Sequence, residues 1–186
     1  MSALEPALEP ALNHVEMVHR PGERELAKQV FQLLGCNTID RGGEFVSAMV
    51  DGGDVAAPNN VLYVSEVTPE QWELEQALQA ALAEDGKLHV AADGYIARLR
   101  REPQRSFHFG IRCEDRAAWD ARLDAIRDAG ASGVDLKGRV AVSGVFFPGD
   151  PGAYTDRMAQ AFVWTDVMAS GLLTIGQHIE LQWHLN

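Results

Sequence analysis

The sequence predicts an α+β fold, two tandem βαβββ modules whose strands form a curved mixed sheet around a central cleft. Three observations predict it. Short runs of alternating apolar and polar residues, the two-residue period of a half-buried strand, are interleaved with stretches of helical period. The order of these runs, strand, helix and then a group of strands, is written twice, opening at His14 and again at His108. Hydrophobic residues make up 46% and charged residues 23% of 186 residues, enough to bury a core and too much apolar content for disorder throughout.

The elements follow in order. Residues 1–12 carry the repeat Ala3-Leu4-Glu5-Pro6, Ala7-Leu8-Glu9-Pro10, whose closely spaced prolines disfavour a helix; they are expected to be a leader. The first module is expected over 13–67. His14 to His19 alternates as a strand and Pro21-Gly22 ends it. Leu26, Val30, Leu33 and Leu34 then share one helix face, with Gly35 as the stop. Strands are expected over 44–50 and 61–67, separated by the turn residues Asp51 to Asp54 and Pro58 to Asn60. A connector is expected over 68–106. Its helix starts at Thr68, which can cap, with Pro69 at the first position and Gln71 placed to close a capping box. It runs to about Glu84. Residues 87–106 have no clear period but hold Arg98, Arg100, Arg101 and Arg105, a solvated linker or a receiver for an anion. The second module is expected over 107–186: a strand from Phe107 to Cys113, a helix capped by Asp115 and stopped at Gly130, and strands over 139–147, 160–166 and 178–184.

Charge and length exclude several functions. Sixteen Lys and Arg against 27 Asp and Glu give a net charge of −11, which argues against nucleic acid or an anionic membrane as partner. No apolar run approaches a membrane span, and the N-terminus lacks the pattern of a signal peptide. Two cysteines, Cys36 and Cys113, make no disulfide framework, so a reducing, cytoplasmic setting is expected.

The stretches Leu12 to Val18 (LNHVEMV), Ser106 to Asp115 (SFHFGIRCED) and Gln177 to Gln182 (QHIELQ) resemble the vicinal-oxygen-chelate superfamily, which includes glyoxalase I, extradiol dioxygenases and bleomycin-resistance proteins. The resemblance implies paired βαβββ modules and, in metal-dependent members, ligands from the first strand of each module and from the final strand. Those positions are His14, His108 and Glu180 here. Two imidazoles and a carboxylate suit Fe(II), with Mn, Ni, Co or Zn as alternatives. Strand parity places Glu16 with His14, Gly110 and Arg112 with His108, and His178 and Gln182 with Glu180. A floor of buried His, Glu, Arg and Gln is costly without partners and points to a site. Arg112 and Gln182 are the candidate substrate contacts. Glu16, Tyr63 and His178 are candidates for acid–base work, with Glu66 and Tyr154 as further ones.

Two functions follow. The first is a metal-dependent enzyme chelating a small substrate through adjacent oxygens, nearer a dioxygenase than an isomerase or lyase. The second is a metal-free small-molecule (drug) binding protein of the bleomycin-resistance type, for which the acidic charge suits a cationic ligand. A homodimer is compatible with both. The apolar segment from Thr165 to Gly176 replaces the Asp-Pro-Asp/Glu-Gly turn common in the group, so the subfamily stays open.

Overall fold

The computed structural model describes residues 12–50, 60–84 and 86–185. The leader before Leu12, the turn at 51–54 and the start of the 58–60 loop lie outside the described residues. The first module consists of β1 (His14–His19), α1 (Arg24–Leu33), β2 (Asn37–Asp40), β3 (Phe45–Met49) and β4 (Val61–Glu66). The connector holds α2 (Pro69–Ala83), α3 (Lys87–Arg101) and a 3-10 turn at Pro103–Arg105. The second module consists of β5 (His108–Arg112), α4 (Arg116–Ser132), β6 (Val140–Phe146), β7 (Met158–Thr165), a two-residue β8 (Met168–Ala169) and β9 (Gln177–His184).

The strands form two mixed sheets, ordered β2-β3-β4-β1-β8 and β5-β9-β7-β6. In each module the first strand lies parallel to the last, β1 to β4 and β5 to β9, while the other neighbours are antiparallel. The repeat seen in the sequence is therefore a repeat of strand order as well as of element type. β8 breaks it, pairing with the C-terminal end of β1 through Val18 and His19.

One apolar layer serves both modules. α1 turns Ala27, Val30 and Phe31 onto Met17, Val46 and Val64. α4 turns Trp119, Leu123 and Ile126 onto Ile111, Ile179 and Leu181, and the Trp119 indole N–H donates to the Leu181 carbonyl at 3.1 Å. All of these belong to one continuous buried cluster. Arg139 also clamps the modules, gripping Glu23 at 2.7 and 2.9 Å and Asp166 at 2.9 Å, while Arg20 reaches Asp166 at 3.0 Å.

Several elements differ from their sequence reading. Gly35 does end α1's run, with φ of +85° and its N–H on the Gln32 carbonyl. Gly130 does not end α4, which continues to Ser132. A Cβ there would stand 2.2 Å from the Val140 carbonyl oxygen, so this glycine is set by close approach of helix to strand. The sequence reading did not single out β2, and residues 87–101 are a full helix.

The connector packs onto the second module. The Glu75 carboxylate, fully buried on α2, accepts the backbone N–H of Leu173 (2.7 Å) and Thr174 (3.0 Å) and the Thr174 hydroxyl, fixing the loop before β9. The Arg100 guanidinium of α3 lies 4.3 Å over the Trp164 ring. At Gly144 the absence of a side chain makes room for the Phe146 ring, which a Cβ would meet at 2.9 Å. Among the described residues, no helix is long and apolar enough to cross a membrane.

Candidate functional site

The register of β5, β9 and β7 builds the site. His108 pairs with His178, Gly110 with Glu180 and Arg112 with Gln182; on the other side of β9, Trp164, Phe162 and Gln160 stand opposite His178, Glu180 and Gln182. Alternation puts all of these on one face, opposite to the face that α4 covers. Parity in the sequence predicted this grouping for β5 and β9.

At its centre, His108 Nε2 lies 3.3 Å from Glu180 Oε2. His108 Nδ1–H donates to the Ser106 carbonyl at 2.9 Å, which fixes the ring's orientation. The Gln160 amide donates to the other Glu180 oxygen at 2.5 Å. Phe162 backs the imidazole edge-on at 5.1 Å between centroids. Each group shifts the other toward its charged form. The Glu180 hydrogen bond raises the His108 pKa against the opposing effect of burial. Burial pushes Glu180 up, but hydrogen bonds from His108, Gln160 and Gln182 outweigh it and hold its pKa below the ordinary value. His178 is the opposite case. Burial first, then the nearby charges of His108 and Arg100, lower its pKa to about 4, and its Nε2 shares a hydrogen bond with the Ser143 hydroxyl at 3.1 Å. It is a neutral hydrogen-bonding group at pH 7, not a proton donor.

A cleft of about 1180 Å³ runs between the modules, past the N-terminal end of β1 and the C-terminal end of β5. His14, Gly110, Arg112 and Gln182 line it. Gly110 matters because it has no side chain: a Cβ there would stand 3.0 Å from Gln182 Nε2 and 3.5 Å from Glu180 Oε2. The bare backbone of Gly110 thus gives the Gln182 amide and Glu180 Oε2 the room they occupy; Gln182 lines the cleft, and the His108–Glu180 pair lies beside it on the same face of the sheet.

The remaining candidates fall elsewhere. His14 belongs to the other sheet, hydrogen-bonded to Asn13 (2.9 Å), 3.9 Å from Glu16 and edge-on to Tyr63 at 5.6 Å between centroids. Glu16 and Tyr63 are cross-strand partners on this more open face. Glu66 faces away and caps the Gly22 N–H at 2.9 Å. Tyr154 lies by Arg105, and Arg98, Arg101 and Arg105 gather around Glu102 at 3.5–3.6 Å as a surface ion-pair group. Among the described residues, no three His, Cys, Asp or Glu side chains come together as a set able to hold a metal ion. His108 and Glu180 supply two donors and His14 is not beside them, so the residues present do not fit a closed three-ligand centre. Gln160, Ser143 and Trp164 were not singled out in the sequence, and Arg100 was noted there only within an arginine cluster read as a solvated linker or a receiver for an anion. Only Gln160 carried a signal there, a polar residue amid the apolar alternation of β7.

No family model matches the chain, and no curated protein is significantly similar to it. Among solved structures it is similar to a glyoxalase/bleomycin resistance protein/dioxygenase from Alicyclobacillus acidocaldarius, at 11% identity and a TM-score of 0.46, over 95% of this chain and 92% of that one.

Proposed function

We propose that the chain binds a small organic molecule in the cleft between its modules and meets it there with the His108–Glu180 pair, as a binding protein without a resident metal. The observation that carries this reading is a buried His108–Glu180 pair on the same sheet face as Gly110, Arg112 and Gln182, which line the cleft. The ion pair is expensive to desolvate, and the same residues packed as an apolar face would cost less. The Glu180 carboxylate, with lone pairs beyond those it offers His108 and Gln160, and Gln160 Oε1, buried with no partner among the described residues, can each accept from a ligand hydroxyl. The test is a thermal-shift screen of small acids, amines and alcohols against the untagged chain. Hits that disappear in His108→Ala and Glu180→Gln support the reading; hits indifferent to both overturn it.

A second reading, a metal-dependent enzyme of dioxygenase-like or isomerase/lyase type, has one observation in its favour. The Ser106 contact leaves His108 Nε2 facing Glu180 Oε2, as two adjacent ligands would, and His14 lines the same cleft. Elemental analysis separates the two. About one transition metal per chain, lost in His108→Ala, replaces the first reading with the second.

A further inference from the structure

We propose that the ligand of this cleft is a small organic anion, held by the Arg112 guanidinium. This inference rests on the cleft being the binding site and names the chemistry of its ligand. It comes from the charges on the cleft wall. Three side chains of fixed charge line it: Arg112, Glu114 and Asp115. Both acids already have partners. Glu114 pairs with Arg122 at 2.9 Å, and Asp115 caps α4 by accepting the Ala118 N–H at 2.8 Å. His14 is engaged by Asn13 and Glu16. Arg112 is exposed and has no acidic partner among the described residues. The unsatisfied charge in the cleft is therefore positive.

Its position suits a ligand that also reaches the ion pair. Arg112, Gly110 and His108 share one face of β5, so successive members stand about 7 Å apart. An anionic head on Arg112 places the body of a flat molecule over the bare backbone of Gly110 and its far end toward His108–Glu180. Val61 and Leu62 of the first module are apolar residues lining the same cleft. The guanidinium presents a planar fork of donors that matches a carboxylate in two hydrogen bonds. The net charge of −11 does not prevent this. At physiological salt, charges beyond about 8 Å are largely screened, and the local arginine decides.

Three probes of one shape and different charge test it: 2-naphthoate, 2-naphthamide and 2-naphthylmethylammonium. Their affinities are measured by titration calorimetry at physiological salt against wild type, Arg112→Gln and Arg112→Lys. Arg112 is exposed, and an unchanged unfolding midpoint confirms that each variant is folded. The expected result is naphthoate binding about tenfold or more tighter than naphthamide. That advantage is absent in Arg112→Gln and partly restored in Arg112→Lys. Equal affinity for the three probes, tightest binding of the ammonium, or an advantage that survives Arg112→Gln overturns the inference while leaving the cleft as the site. A naphthoate advantage that depends on Arg112 but is untouched by Gly110→Leu supports the anion site and counts against the role given to His108–Glu180. No binding of any probe to wild type at millimolar concentration removes both.

Discussion

The two modules share a strand order but not a surface. By register, His14 corresponds to His108, Tyr63 to Glu180, Glu16 to Gly110, Val61 to His178 and Val18 to Arg112. In the second module the histidine gains a carboxylate across the strand, a glycine beside it that leaves room, and a cover made of α3 and the turn after it. In the first module the corresponding histidine faces a tyrosine, and the face is open enough that Phe45 is 45% exposed. Duplication of the framework therefore supplied two equivalent frames, and the chemistry is concentrated in one. The difference lies in what each histidine meets across one strand and in which face the connector covers.

The largest expected effect tests this asymmetry directly. Glu180→Ala leaves His108 and the Gln160 amide without their shared partner in a mostly buried site, and should cost about 3–5 kcal/mol of stability. Tyr63→Phe, at the equivalent position of the first module, should change stability by no more than about 0.5 kcal/mol. Urea unfolding of both variants measures the contrast. Similar losses at the two positions would mean that the second module is not electrostatically special.

The cores offer a control of comparable size. Phe31→Ala and Trp119→Ala remove the large buried aromatic of α1 and of α4, and each should cost about 3–5 kcal/mol. The modules should respond alike here, because both aromatics belong to one continuous apolar cluster. If one variant melts a single module while the other module stays folded, the shared layer is not cooperative.

Acid and base should separate the two histidines of the second module. His178 has a folded pKa of about 4 against 6.5 when free. The unfolded chain takes up its proton first, so this group makes stability fall as pH drops from 6.5 toward 4, by at most about 1.4 kcal/mol per pH unit. His108 has a raised folded pKa, so its contribution is full below 6.5 and is lost as pH rises through that higher value. In denaturation midpoints taken across the range, His178→Gln should flatten the acid limb, and His108→Gln should flatten the limb above 6.5 and soften the acid limb by removing one of the charges that lower the His178 pKa.

How much of this was legible in the sequence follows the same division. The repeat, the strand parity of β5 and β9, and the candidates His108 and Glu180 could be read because period and motif are local properties. α3 could not, because Leu88, Val90 and Tyr95 are exposed and follow no single apolar stripe. β2 is four residues long and polar at both ends, and its ladder to β3 defines it more than its own pattern does. Gly130 looked like a stop because glycine after a periodic run usually is one; only the approach of Val140 reveals its other use. Gln160, Ser143 and Arg100 reach the site from three different elements, β7, β6 and α3. His14 and His108 looked alike in sequence for a related reason, since the residue facing each one depends on which strand returns beside it.

The smallest expected effect on stability is at Gly110 in the cleft wall. A methyl group at Gly110 would meet the Gln182 amide at 3.0 Å and Glu180 Oε2 at 3.5 Å. Gln182 is partly exposed and can yield by a few tenths of an ångström, and a strand alanine loses less backbone entropy on folding than a glycine does. These effects oppose each other, so Gly110→Ala should leave the unfolding midpoint within about 0.5 kcal/mol of wild type. Ligand affinity should nonetheless fall, because the added methyl occupies the approach to the ion pair. Glu16→Ala, the corresponding change in the first module, should alter neither quantity. Calorimetric titration of both variants with the same naphthoate probe measures the difference. A loss of affinity at Gly110 with stability unchanged separates the opening of the site from its framework; equal affinity in both variants would mean that the ligand does not pass over β5.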